Sequence, residues 1–179
     1  MIVEKTKKAL DVLFPRQEAT QEAEADTPVS TTTESEEQET KKEEPRQNGL
    51  IERDYAVHGY HLDAQVAPDQ LYNAVEIVDG LEFFLESITG VDWIKDDQME
   101  IVYDFNRYDF DLCRVVIRTR VARDTPVVPT ITPIYAGANW HERETHDFFG
   151  IKFDGHPHLI PLLLPEDADF HPLLKDFKA

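Results

Sequence analysis

The residues best suited to chemistry lie in His141-Glu-Arg-Glu-Thr-His146, where two histidines and two glutamates share six positions. A helical zinc site needs imidazoles at i and i+4 with a glutamate between them as base. Here the histidines stand at i and i+5, about 140° apart around an ideal helix axis, so an undistorted helix cannot aim both at one ion. Glu142 and His146 do share a face, and His156, His158, Asp167, Asp169 and His171 could add nitrogen or oxygen donors. The spacing leaves a stand-alone metal-dependent hydrolase using Glu142 and His146 as one reading. The other is a set of histidines hydrogen-bonded in an interface.

On the same helical stretch Trp140, Glu144 and Phe148 fall on one stripe. A glutamate seamed between two aromatics is a local inconsistency, of the kind that marks a buried partner charge or a face used by another chain. Arg143 and Asp147, at i and i+4, can pair. From Trp140 through Gly155-His-Pro157 to His171-Pro-Leu-Leu-Lys-Asp-Phe177 the chain packs aromatics, charges, histidines and prolines closely. It reads as a segment too short and too Pro-rich to bury itself, and so built for another surface. No Gly-rich phosphate loop or Gly-x-Ser-x-Gly elbow is present. The lone cysteine, Cys113, permits no internal disulfide and cannot hold an iron–sulfur cluster by itself.

The elements that must position these residues follow from periodicity. Residues 2–14, with Val3, Leu10, Leu13 and Phe14 among lysines, predict a short amphipathic helix ended by Pro15. Gln17 to Asn48 is rich in Glu, Gln, Thr, Ala and Ser and predicts an acidic, disordered linker. That linker leaves the first helix free to dock on a different subunit. Tyr60–Val66 alternates as a strand, and Asp69 is placed to cap a helix through Leu71, Ala74, Val75 and Val78, closed by a left-handed residue at Asp79-Gly80. Leu81, Phe84, Leu85 and Ile88 have helical spacing. Met99–Phe105 and Leu112–Val121 are strands around a turn at Asn106–Asp111. Arg114, Arg118 and Arg120 share one face of the second, expected to be a solvated sheet face. Three prolines make Asp124–Pro133 a crossing loop, and Ile134–Phe149 is helical up to Gly150.

The expected fold is therefore α+β: a small, mostly antiparallel sheet with helices on one face and an extended C-terminal tail. The boundaries read as 1–16 for the amphipathic helix, 17–48 for the linker, 49–151 for the domain and 152–179 for a partner-docking tail. The 179 residues carry 36 acids against 18 bases, a net charge of −18. Residues 1–49 hold 12 of those acids and 7 of the bases, so the excess is not confined to a tail. An acidic domain repels phosphate backbones and anionic headgroups, which excludes nucleic acid and direct membrane contact as expected partners. No apolar run approaches the roughly 18–20 residues of a membrane span.

Three blocks resemble the 30 kDa subunit family of respiratory complex I, the NADH–quinone oxidoreductase, with relatives in energy-converting membrane-bound [NiFe] hydrogenases. Ala138-Asn-Trp-His-Glu-Arg-Glu-Thr-His-Asp-Phe-Phe-Gly-Ile151 is similar to Glu-Arg-Glu-x-x-Asp-x-Phe-Gly-Ile. Gly155-His-Pro157 resembles Gly-His-Pro, and His171-Pro-Leu-Leu-Lys-Asp176 resembles His-Pro-Leu-Arg-Lys-Asp. Gly90-Val-Asp-Trp93 and Val128-Pro-Thr-Ile131 add weaker support. The resemblance implies a non-catalytic scaffold in the peripheral arm of an ion-translocating oxidoreductase, on the cytoplasmic side of the cell membrane and reaching the membrane only through the complex. It implies a large subunit (49 kDa-like or hydrogenase-like) and a small iron–sulfur subunit as partners. No cofactor is expected in this chain; iron–sulfur clusters and a quinone or NiFe centre belong to the partners.

By that resemblance Glu142, Arg143, Asp147, Gly150, His156, Pro157, Pro172, Lys175 and Asp176 match the family's signature positions; with Trp140 and Glu144 of the helical stripe and His171 of the tail they are the expected partner interface. Gly150 ends the helix, and Arg143 pairs with a carboxylate inside or across it. Where the family has Asp-Leu-Arg-Arg after Gly-His-Pro, this chain has His158-Leu-Ile-Pro161, and the Arg of Pro-Leu-Arg-Lys is Leu174. Three cations are missing, which points toward a hydrogenase-type or other electron-input relative. An adaptor acting through the acidic linker remains a further alternative.

Overall fold

The computed structural model describes residues 1–14, 47–107 and 111–178. Residues 17–46 of the expected 17–48 linker, and residues 108–110 of the expected turn, lie outside the described residues. Five strands form the main sheet: β1 (Gly49–Glu52), β2 (Leu62–Val66), β3 (Phe84–Trp93), β4 (Gln98–Asn106) and β5 (Val115–Ala122). Their spatial order is β1-β2-β5-β4-β3, all antiparallel except the β2–β5 pair. The helices are α1 (Ile2–Leu10), α2 (Tyr55–His58), α3 (Leu71–Asp79) and α4 (Ala138–Phe149). A parallel pair, β6 (Val127–Pro129) with β7 (Lys152–Asp154), brackets α4 in sequence. The α+β expectation holds.

Strand alternation sends Leu62, Ala64, Val66, Met99, Ile101, Tyr103, Phe105, Val115 and Ile117 to one face of the sheet. There they meet Leu10 of α1, the Leu71, Ala74, Val75 and Val78 stripe of α3, and Ala138 of α4 in one core. The opposite face carries the arginines. Arg118 bonds Asp63 at 3.1 Å and Arg120 bonds Glu100 at 3.1 Å, and Trp93 Nε1 donates to the same Glu100 at 3.0 Å. Asp63 and Glu100 are almost wholly buried. The expected solvated face is instead sealed by its own ion pairs and by Trp93, over which Arg120 stacks.

Several local expectations are corrected. The helical spacing of Leu81–Ile88 belongs to a turn and the start of β3; a register shift between Leu85 and Ser87 breaks the two-residue alternation and imitates a helical period. Gly80 keeps right-handed backbone at φ −62°, and the left-handed residue is Glu82 at φ 63°. Asp69 caps nothing: Gln70 reaches back to the Ala67 N–H at 3.2 Å at the entry to α3. Helix α1 docks on its own domain. Asp111 accepts the Ile2 N–H at 2.8 Å, Gln70 Nε2 donates to the Leu13 carbonyl at 2.9 Å, and Lys7 pairs with Glu52. Its inward positions are Ile2, Thr6 and Leu10, one turn apart, with Val3, Leu13 and Phe14 packed at the margin.

Candidate functional site

Helix α4 carries most of the chemistry-bearing residues, and its seating on the sheet rests on a glycine. Gly90 of β3 lies under the ring of Phe149, where a Cβ would stand 2.6 Å from Cδ2. With that contact fixed, Glu142 and Asp147 turn into the protein while Trp140 and Glu144 turn out. Gly150 ends the helix at φ 72°, the left-handed cap expected from its position.

Glu142 is fully buried. Its two oxygens accept from Thr130 Oγ1 at 2.5 Å and from the Ile131 N–H at 2.8 Å, tying α4 to the segment after β6. Burial pushes its pKa up to about 7, against the two hydrogen bonds, which favour the anion. His156 Nε2 stands 3.9 Å away and faces the Asn139 carbonyl. The His158 N–H donates to His156 Nδ1, which leaves the proton on Nε2 in the neutral ring. Burial holds the His156 pKa below its ordinary value, so this corner favours the uncharged forms of both groups. Tyr103, buried nearby on β4, has its pKa raised well above normal by burial and by Glu142.

Asp147 does the opposite work. Its Oδ2 accepts the backbone N–H groups of Leu162, Leu163 and Leu164 at 2.8, 2.7 and 3.2 Å. Burial raises its pKa, but the three amides outweigh burial and the net shift is downward. Arg143 does not pair with Asp147 or any other carboxylate among the described residues. Its Nε and a terminal nitrogen donate to the carbonyls of Ile160 and Pro161 at 3.0 and 2.9 Å, with the guanidinium 5.3 Å from the centre of the Trp140 ring. The i, i+4 pair expected on the helix is replaced by a clamp: one side chain takes carbonyls, the other takes amides, and together they fix the 160–164 loop.

The rest of the C-terminal segment closes on the exposed carbonyls at the end of α4. His171 Nδ1 bonds the Asp147 carbonyl at 2.8 Å, the Leu173 N–H donates to Phe148 O at 3.1 Å, and His146 Nδ1 bonds Ile151 O at 2.9 Å. The His171 ring fills the space over Gly150, where a Cβ would meet it at 2.7 Å. Further along, Asp92 of β3 accepts the Lys175 N–H at 2.8 Å and a two-pronged bond from Arg123 at 2.8 and 3.0 Å. Arg123 also reaches Asp176 at 2.6 Å. The segment expected to be unable to bury itself is anchored on its own domain, because backbone groups the prolines leave free are satisfied by buried carboxylates and helix-end carbonyls.

Of the residues expected at an interface, Glu142, Arg143, Asp147, Gly150, His156 and His171 therefore make their strong contacts inside the chain. Trp140 (60% exposed), Glu144, Pro157, Lys175 and Asp176 are open, and Pro172 is half-buried. Glu142 and His146 face different partners, and no three His, Cys, Asp or Glu side chains come together to hold a metal ion among the described residues. Anchors that sequence reasoning left without a role are Gly90, Asp92, Arg123 and Thr130. Three of them sit in the quoted blocks Gly90–Trp93 and Val128–Ile131, so those matches carried the signal.

Around the anchored segment lies an apolar surface. Ile160, Leu163, Phe170, Leu173 and Phe177 are exposed, as is Trp140 on α4, with Phe170 and Phe177 stacked at 5.6 Å. Glu166, Asp167 and Asp169, between Leu163 and Phe170 in sequence, are exposed as well. No helix among the described residues is long and apolar enough to cross a membrane.

Residues 64–179 match the family described as respiratory-chain NADH dehydrogenase, 30 Kd subunit. The chain is 39% identical over 124 residues to the C subunit of NADH-quinone oxidoreductase from Roseiflexus castenholzii, covering 64% of this chain and 68% of that one. It is 38% identical over 121 residues to the C subunit of F(420)H(2) dehydrogenase from Methanosarcina mazei, covering 66% and 76%. Among solved structures, a chain of the membrane-bound sulfane sulfur reductase, an archaeal respiratory membrane complex, superposes with TM-score 0.60 at 30% identity over 65% of this chain and 71% of that one. A trypsin-resistant fragment of Nqo5 gives 0.54 at 27% identity over 63% and 89%.

Proposed function

This chain belongs to the respiratory-chain NADH dehydrogenase 30 kDa subunit family, and on that premise we propose that it is a non-catalytic scaffold in the peripheral arm of a membrane-bound, ion-translocating oxidoreductase. It holds the large subunit, 49 kDa-like or hydrogenase-like, against the small iron–sulfur subunit, on the cytoplasmic side of the membrane. One observation carries the reading. Arg143 and Asp147 of the signature helix are used to fold the C-terminal segment, and large apolar side chains are left outward: Trp140, Leu163, Phe170 and Leu173 are each more than 40% exposed. Several exposed apolar side chains of this size in one segment fit a permanent partner better than solvent. Acidic neighbours at Glu166, Asp167 and Asp169 favour a partner groove with a basic rim.

Clusters, quinone or a NiFe centre belong to the partners in this reading; the single buried cysteine supports that division, since a cluster needs several thiolates. The redox couple varies among the relatives, whose names give NADH and F(420)H(2) as donors and sulfane sulfur as a species reduced. The donor is therefore set by other subunits. The test is affinity capture of the tagged chain from gently solubilised native membranes, with mass spectrometry of all that is retained. Recovery of a large subunit, a cluster-bearing small subunit and membrane-embedded chains is expected. A chain that comes down alone overturns the scaffold reading.

A further inference from the structure

Strand β3 is the outer strand of the main sheet, and among the described residues β4 is the strand it pairs with. In an antiparallel pair, alternate residues turn their N–H and C=O groups away from the partner strand. From Ser87 to Asp92 those groups meet no other backbone among the described residues, and at the end of the strand the Trp93 carbonyl accepts the Asp96 N–H of the turn. From Ser87 to Trp93 the register with β4 is unbroken, so the free edge is straight for seven residues.

Sheet edges in stand-alone proteins are blunted by prolines, lysines, short length or outward charge. The other edge of this sheet follows that rule: β1 is four residues long and finishes in Glu52. β3 has ten residues, Phe84-Leu-Glu-Ser-Ile-Thr-Gly-Val-Asp-Trp93, with no proline and no lysine. Its two acids are occupied. Glu86 pairs with Arg114, and Asp92 is buried against Arg123 and the Lys175 N–H. The bulge between Leu85 and Ser87 guards only the start of the edge. The stretch from Ser87 to Val91 is uncharged and rich in β-branched residues, a pattern that pairs readily with another strand.

We propose that the outer edge of β3, from Ser87 to Trp93, receives an extended strand from a partner subunit by β-augmentation. The inference rests on the multisubunit reading above but concerns a different surface from the apolar ridge. A second copy of the chain is disfavoured as occupant, because edge-to-edge pairing would bring together two molecules of net charge −18. The incoming segment is neutral to basic, with small or β-branched residues on the side shared with Thr89 and Val91. Backbone bonds supply its affinity and alternate side chains its register.

Hydrogen exchange on the intact complex, isolated through this chain and read at single-residue resolution by mass spectrometry, tests the assignment. The expected result is that every β3 amide from Ser87 to Trp93 is slow, those facing away from β4 being roughly 100-fold slower than an open edge allows. An alternating slow and fast pattern overturns the proposal while leaving the scaffold reading intact. If the chain yields no complex, the scaffold reading itself fails, and that is seen before any exchange is measured. If the chain purifies as a dimer of itself with all seven amides slow, the occupant is a second copy and the partner assignment is overturned.

Discussion

The ring of Phe149 rests directly on Gly90, so closely that a Cβ at residue 90 would lie 2.6 Å from its Cδ2. The contact sets how near the signature helix sits to the sheet, and all of its buried carboxylates depend on that distance. Gly90→Ala forces the helix or the ring to shift, at a cost of about 1–3 kcal/mol. Gly49→Ala, at a position with open space around it, is the control and changes little. Urea denaturation of both variants decides the matter; equal midpoints would refute the packing argument.

Asp147 should govern the order of the 160–164 loop. Asp147→Asn keeps the shape but loses the charge facing three amides, at a cost of about 1–3 kcal/mol. Limited proteolysis is expected to cut the variant near Ile160–Leu164 while the parent resists. The pH dependence has a definite sign. A carboxyl held below its ordinary value of 3.8 adds stability above that value, and the contribution is lost as pH falls through the lower folded-state value. Thermal melts from pH 5 to pH 2 should therefore fall more steeply in the parent than in Asp147→Asn.

Glu142 carries the opposite sign. Its folded-state pKa is raised from 4.5 to about 7, so the folded protein keeps a proton that the unfolded chain releases between those values. Stability attributable to this group falls as pH rises through that window, by at most about 3 kcal/mol. Glu142→Gln removes the titration and keeps a carbonyl for the Ile131 N–H. Its stability should be flatter between pH 4.5 and 7 than that of the parent, and parallel curves would contradict the assignment.

Arg123 is expected to matter far more than Asp176. Arg123→Leu leaves the buried Asp92 carboxylate with only the Lys175 N–H as its partner, at a cost of about 2–4 kcal/mol. Asp176→Ala removes an exposed contact and should leave the melting temperature unchanged. Faster exchange of the Lys175 amide in Arg123→Leu, but not in Asp176→Ala, is the signature to seek.

The apolar ridge gives a binding prediction. Trp140→Ala should leave stability nearly unaltered, because the side chain is 60% exposed. It should weaken retention of the large subunit by at least about tenfold, as truncating a buried aromatic anchor does. Unchanged co-purification would remove Trp140 from the interface.

Much of this architecture is legible in the sequence because it is local. The α3 stripe, the β4 and β5 alternation and the Gly150 cap each depend on neighbours within a few positions. What escapes is long-range. Nothing near Asp147 in sequence indicates that amides fifteen to seventeen positions later will fill its acceptors, so its helical neighbour Arg143 is the natural partner to expect. Glu142 looks available for metal chemistry because sequence does not reveal the Thr130 and Ile131 donors above it. The start of β3 reads as helix because a bulge shifts its side chains by one position, and the apolar residues there then mimic a helical turn. Helix α1 announces an apolar stripe, but not that the groove receiving it lies across the chain beside α3.

The Asp92–Lys175 bond joins residues 83 positions apart, whereas α4 and its bracketing strands β6 and β7 form within fewer than thirty. Loop closure makes the local unit cheap and fast and the distant latch slow. Leu173 and Phe177 stand two positions either side of Lys175, so the exposed apolar side chains are held in place by that latch together with the Leu173 bond to Phe148. On the proposed reading, a chain whose latch is open would offer partner subunits an unfinished surface.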